Sequence, residues 1–153
     1  MMEERLGTSR RSVFMAGVHD GVPIALGYFV VAFTLGILAK TAGLTPWQGF
    51  VTSAVNIASA GEYAGFTVIA AQAPYLEIAV LTLVANARYF LMAAALTQRF
   101  APETSLLHRL AVSFGVTDEI FGITVARGGT VNPYYNYGSL AISVPAWSAG
   151  TSA

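Results

Sequence analysis

Polar residues punctuate this chain only briefly between long apolar runs. Residues 22–39, 47–73, 76–98 and 110–126 each approach or exceed the roughly 20 mostly apolar positions that a membrane-crossing helix needs. A fifth run starts near Tyr134 and continues to Ala153. The connections carry turn chemistry: Gly43 and Pro46 in "TAGLTP", Pro74 in "AQAP", and Pro102 among charges in "RFAPETSLLHR". "RGGTVNPYYNYG" adds a diglycine, a proline and three tyrosines, read as an interfacial aromatic belt. The pattern predicts an all-α integral membrane protein of four to five segments, one domain over residues 1–153 with an N-terminal arm over 1–21.

The polar positions inside the runs stand out. An acidic or basic residue at a helix centre costs about 2.5–3.5 kcal/mol to insert, while a Leu or Ile returns only about 0.3–0.6. Residues at that depth therefore need a site or a partner. Segment two holds Asn56, Ser59 and Glu62, segment three Asn86 and Arg88, and segment four Thr117, Asp118 and Glu119. At about 100° per residue, Thr52, Asn56, Ser59 and Tyr63 share one helix face, and Thr82, Asn86 and Tyr89 another. Glu62 lies about 60° from Ser59, and Arg88 about 200° from Asn86.

Each feature has a plainer alternative. Gly61 and Gly65 either let two helices pack closely or permit a break beside Glu62. Asn56 and Asn86 are either interhelical glue or ligand contacts, and Arg88 is either a structural counterion or part of a site. Glu77 and Glu103 read as interfacial charges. Glu62, Asp118 and Glu119 cannot all be paired by Arg88, so at least one is neutralised by a proton, a cation or an amine-bearing substrate. Glu62 is expected to be protonated until a substrate ammonium arrives, or else to be a neutral hydrogen-bonding group.

Composition agrees with the pattern. Charged residues make up 10% of the 153, against roughly 25% in soluble domains, too few to coat a globule. Mean hydropathy is +0.60. Net charge is zero, with no basic stripe for nucleic acid, and the absence of cysteine removes disulfide and thiol chemistry. His19 and His108 lie far apart, and no metal cluster, Ser/His/Asp set or phosphate loop can be assembled, so neither an enzyme nor a cofactor is expected. Arg5, Arg10 and Arg11 precede segment one without a convincing cleavage site, which predicts a retained helix. If segment two re-enters, Arg99 and Arg109 join those arginines on one side, leaving Lys40 and Arg127 opposite. That asymmetry favours a broken or re-entrant segment two and a cytoplasmic N-terminus. "GVHD" (17–20) echoes in "GVTD" (115–118), and "SAG" occurs at 59–61 and 148–150, short echoes that suggest a truncated internal repeat but also arise by chance in so biased a composition.

"AGVHDGVPIALGYFVVAFTLGILAKTAGLTP", "SAGEYAG", "ANARYFLMAAAL" and "FGVTDEIFG" together resemble the AzlC family of branched-chain amino-acid exporters, over nearly the whole chain. The resemblance implies a bacterial inner-membrane, multi-pass protein exporting hydrophobic amino acids with a small hydrophobic AzlD-type subunit. Family members commonly have Gln or Glu where Glu62 stands, and Asp20, Ser59, Asn86, Arg88, Asp118 and Glu119 fall at matching positions. The candidate substrate contacts are Asn56, Ser59, Glu62, Tyr63, Asn86 and Arg88. The candidate proton-coupling groups are Glu62, Asp118, Glu119 and Asp20. Family chains run longer, so this one is expected to be C-terminally truncated and to self-associate. The competing expectation is a non-transporting scaffold or oligomerisation module in the bilayer.

Overall fold

The structure, a computed structural model, describes residues 9–153. Among them the protein is all-α, with α1 (Arg10–Thr41), α2 (Pro46–Val55), α3 (Ser59–Ala70), α4 (Tyr75–Ala85), α5 (Ala87–Thr97), α6 (Leu106–Phe114), α7 (Asp118–Ala126) and α8 (Pro133–Ser152) in order. Phe100 and Val131 form an isolated parallel bridge. The helix expected from residue 22 begins twelve positions earlier, at Arg10. Ser9 starts it, its hydroxyl oxygen accepting the Ser12 N–H at 3.1 Å. The part of the N-terminal arm before residue 9 lies outside the described residues. At the other end Gly43 takes φ +82, a left-handed turn that glycine enters without steric penalty, and the chain passes into α2. Thr45 and Gln48 close a capping box there, with Pro46 opening the helix.

Three of the predicted segments are interrupted. Segment two breaks at 56–58, as expected, but segments three and four also break, at Asn86 and at 115–117. Asn86 ends α4 in the bridge region, and the two pieces bend by 44° there. Gly115 ends α6 and Thr117 caps α7, its side chain accepting the Ile120 N–H at 3.3 Å. Local stop and start chemistry thus overrides continuous apolarity. The tetrapeptide echoes do not correspond in structure. "GVHD" lies within uninterrupted α1, whereas "GVTD" straddles a break that Thr117 caps and His19 at the matching position does not. "SAG" opens α3 at its first occurrence and sits inside α8 at its second.

Among the described residues α1 is long and apolar enough to cross a membrane outright, and α4 with α5 pass together as one bent span. Leu26, Phe29, Val30, Phe33 and Ile37 of α1 are exposed, an apolar surface suited to lipid. The helix of segment five differs. α8 buries Asn136, Ser139, Ser143, Ser148 and Thr151, so its polar residues face protein.

The chain divides into two compact units. The first holds residues up to Ile24 and Tyr89–Ser143. Its apolar core is Leu96, Phe100, Val112, Val116 and Val131. Here α1 and α8 touch backbone to backbone: a side chain at Gly17 would overlap the Tyr135 carbonyl, and one at Gly138 the Phe14 carbonyl. The second unit holds Ala25–Arg88 and Val144–Ala153. In it, Gly150 of α8 packs on Phe29 and Ala32 of α1, and Gly36 of α1 lies against Thr151. Small residues at these contacts let helices approach without a hydrophobic drive between them.

Candidate functional site

In the second unit the break at 56–58 sets up the most unusual side chain of the protein. Helix α3 begins after Ala58, which has no side chain able to cap it. A helix start leaves its first N–H groups without helical acceptors, here those of Ser59, Ala60 and Gly61, while the Glu62 N–H bonds to the Ala58 carbonyl at 2.9 Å. Glu62 therefore sits in the first turn, where the helix dipole favours negative charge. Its side chain turns inward and is only 1% exposed.

Both carboxyl oxygens are occupied. Trp147 Nε1 donates to Oε1 at 2.6 Å, and the Ser53 hydroxyl lies 3.0 Å from Oε2. Ser53 is in turn 2.7 Å from the Thr151 hydroxyl, which lies 3.5 Å from the Trp147 carbonyl. Tyr28 packs edge-on against the Trp147 indole, with ring centroids 5.2 Å apart. Three elements thus converge: α2 brings Ser53, α3 brings Glu62, and α8 brings Trp147 and Thr151. Gly36 and Gly49 admit the last turn of α8, since a Cβ at Gly36 would stand 2.5 Å from the Thr151 carbonyl oxygen and one at Gly49 3.3 Å from its methyl.

Beside this cluster the Asn86 amide donates to Asn56 Oδ1 at 3.3 Å, joining the breaks of segments two and three. Asn86 Oδ1 is buried without a hydrogen-bond partner. The same amide lies against Gly61, where a Cβ would come within 2.5 Å of Nδ2. Gly61 therefore serves close helix packing, and the break occurs five residues earlier, at Asn56.

The sequence-expected contacts separate accordingly. Asn56, Asn86 and Glu62 lie in this region, and Ser59 supplies the first N–H of α3. Tyr63 is 61% exposed and points away from the carboxylate cluster. Arg88, just past the Asn86 bend, is also exposed. Asp20, Asp118 and Glu119 belong to the first unit. Asp118 and Glu119 are exposed in the first turn of α7. Asp20 accepts the Tyr135 hydroxyl at 2.8 Å, faces His19 Nδ1 at 3.0 Å and has Arg127 at 3.8 Å. Tyr135 is thus buried and bonded inside the protein, unlike the interfacial belt expected of it. Tyr137 bonds to His108 at 2.8 Å.

Sequence reasoning missed Ser53, Trp147 and Thr151. Thr52 was placed on the functional face because the helix was continued through Asn56. The polarity of Trp147 and Thr151 was itself a signal, since an indole N–H or a hydroxyl buried in a membrane protein also needs an acceptor.

The family described as "AzlC protein" matches residues 23–153. An "Uncharacterized membrane protein" of Archaeoglobus fulgidus is 27% identical over 94% of this chain and 62% of its own length. The "Inner membrane protein YgaZ" of Escherichia coli is 31% identical over 76% of this chain and 47% of its own. An "Uncharacterized membrane protein" of Helicobacter pylori is 28% identical over 72% of this chain and 49% of its own. This chain thus spans about half to two-thirds of the length of these curated relatives. No solved structure matches it.

Proposed function

The chain belongs to the AzlC family of membrane proteins, and from that premise we propose that it is a transporter subunit exporting branched-chain amino acids, with Glu62 coupling substrate to protons. The observation that carries this reading is a carboxyl group 1% exposed in the first turn of a helix that starts inside a broken segment. Among the described residues this buried acid is held by one indole and one hydroxyl and makes no ion pair. It is therefore able to change charge as its surroundings change. Interrupted helices with free termini are also what a transporter uses to meet a zwitterion inside the membrane. The uncapped N–H groups of Ser59, Ala60 and Gly61 suit a substrate carboxylate, and Glu62 suits its ammonium.

Protonation also has a mechanical consequence. A hydrogen bond to an ionised acceptor is roughly twice as strong as one to a neutral group. Loss of the Glu62 charge weakens the Trp147 bond that ties α8 to α3 and favours opening there. The activity on this reading is movement of substrate, not its conversion. It takes place in the bacterial inner membrane in a multi-pass protein with a cytoplasmic N-terminus, together with a small hydrophobic AzlD-type subunit.

Radiolabelled leucine flux in proteoliposomes tests the proposal, using a full-length family member with the same glutamate, co-reconstituted with the small subunit. Replacing the residue that corresponds to Glu62 by Gln keeps shape and hydrogen bonding but removes the titration. The Gln variant should lose pH-gradient-driven flux and keep some leucine exchange. An unchanged pH dependence in a folded Gln variant rejects Glu62 as the coupling group.

A further inference from the structure

We propose that Arg10, His108 and Tyr134 form a binding site for the phosphodiester headgroup of an anionic phospholipid, whose acyl chain lies along the exposed face of α6. The inference is independent of Glu62 and of transport, and all of its residues belong to the first unit. The Arg10 guanidinium stands over the Tyr134 ring, 5.2 Å from its centre. The His108 ring lies 5.8 Å from that of Tyr134, so a cation and an imidazole flank one aromatic ring. Tyr137 closes the group, edge-on to Tyr134 at 5.9 Å and with its hydroxyl 2.8 Å from His108 Nδ1. With that hydroxyl donating to Nδ1, the neutral imidazole carries its proton on Nε2 and keeps one donor for a ligand. A guanidinium held over a ring by cation–π attraction keeps its N–H groups at the edge, where a phosphate accepts them in pairs. Among the described residues the Arg10 side chain makes no hydrogen bond or ion pair.

Three other arginines of this unit are engaged with the protein itself. Arg99 donates to the Val125 and Gly129 carbonyls, at 3.4 and 3.0 Å, and Arg109 to those of Thr104 and Ala101, at 3.0 and 2.9 Å. Arg127 sits over the Tyr135 ring and faces Asp20 at 3.8 Å. Arg10 and its neighbour Arg11 are exposed, so the positive charge offered to a ligand is concentrated at the start of α1.

Depth agrees with a lipid ligand. α1 is 32 residues long, about 48 Å at 1.5 Å per residue, while a bilayer with its headgroups is roughly 40–45 Å thick. A helix of that length sets Arg10 in one headgroup layer and Lys40 in the other. Tyr134 is held near the level of Arg10, because α1 and α8 touch backbone to backbone between Phe14 and Gly138. From there α6 runs inward beside α8: His108 meets Tyr137 near its start, and Gly115 meets the Leu140 side chain at its end. Leu107, Leu110 and Phe114 share one face of α6 and are 76%, 58% and 71% exposed. A cationic head beside an apolar stripe that descends into the bilayer is complementary to an anionic lipid, not to a soluble anion.

Native mass spectrometry of this chain, released from detergent micelles carrying phosphatidylglycerol or phosphatidylcholine, tests the site. Phosphatidylglycerol should bind in preference, and Arg10→Gln should weaken its binding by about fivefold, the contribution of one basic residue at a membrane surface. Lys40→Gln, the same loss of charge at the other end of α1, should leave binding nearly unchanged. Tyr134→Leu should reproduce part of the Arg10→Gln loss and Tyr134→Phe none of it, since the ring and not the hydroxyl holds the guanidinium. Equal losses in Arg10→Gln and Lys40→Gln mean diffuse attraction and overturn the site, as do equal binding of the two lipids and a Tyr134→Leu variant without effect. Inorganic phosphate that displaces the lipid at equal concentration makes this a small-anion site and rejects the acyl contact. If Arg10→Gln fails to fold, photocrosslinking in the unmodified chain decides. Phosphatidylglycerol with a diazirine in its acyl chain should label residues 107–114 in excess over its phosphatidylcholine counterpart, and equal labelling by the two overturns the proposal.

Discussion

Two breaks in this chain are each followed by a short helix with acid in its first turn, and they are built differently. After 115–117, Gly115 ends α6, Thr117 caps α7, and Asp118 and Glu119 are exposed. After 56–58, Asn56 ends α2, Ala58 offers α3 no cap, and Glu62 turns inward onto Trp147 and Ser53. At the first break Thr117 caps the new helix from within the segment, and the acids complement the dipole. The second is completed only by a helix from nearly 90 positions later in the chain. An acid at a helix start is thus exposed in one place and buried against two other helices in the other.

The largest effect that can break this comparison comes from deleting Glu62. Glu62→Ala orphans the Trp147 N–H, while Ser53 keeps Thr151 as a partner, and should cost about 1–3 kcal/mol for that one unsatisfied buried group. Unfolding by sodium dodecyl sulfate in mixed micelles measures it. A loss no greater than that of Glu119→Ala in the same assay would make the two acids equivalent and end the distinction.

The glycines of the two short helices should respond with opposite signs. Gly61→Ala places a methyl into the Asn86 amide and is expected to destabilise by about 1–3 kcal/mol through overpacking. Gly122 of α7 meets nothing within 4 Å. Gly122→Ala should stabilise by about 0.5–1 kcal/mol, the ordinary gain of replacing a mid-helix glycine. Thermal unfolding in detergent separates the two, and equal signs would contradict the packing described at Gly61.

The smallest changes address the caps. Thr117→Ala should cost about 1 kcal/mol. Ala58→Ser supplies the cap that α3 lacks, and should stabilise by roughly 0.5 kcal/mol at the low end of the same range. On the proposed transport reading it should also weaken leucine binding, because the new hydroxyl would compete for the N–H groups that reading assigns to the substrate carboxylate. Tighter leucine binding in Ala58→Ser, read by calorimetry, would remove those N–H groups from the site.

How much of this was legible beforehand varied by residue. The break in segment two was expected, but beside the glycines, since Gly61 and Gly65 permit unusual backbone and Asn56 gave no comparable cue. The break at 115–117 has a readable signal in Gly115 and Thr117, a helix stop and a helix start two positions apart. Continuous apolarity hid it. Glu62, a deep acid in the linear pattern, is buried in the structure. Asp118 and Glu119, equally deep in the linear pattern, are exposed in the first turn of α7. The face assigned to Thr52, Asn56, Ser59 and Tyr63 assumed one unbroken helix. Once the chain leaves helical geometry at Asn56, the phase between α2 and α3 is lost, and Ser53 reaches Glu62 in place of Thr52.

The sequence alone carried the all-α membrane class, the family and the presence of an acid deep in segment two. Each follows from quantities that are additive along the chain or carried by contiguous motifs: apolar run length, scarcity of charge, the cost of an acid at depth. Only the tertiary structure decided that Trp147, Ser53 and Thr151 close around that acid, and that Asn56 meets Asn86. Those contacts depend on where α8 settles against α1, α2 and α3. That placement is set by Gly36, Gly49 and Gly150, whose missing side chains leave room for a neighbour without specifying which one.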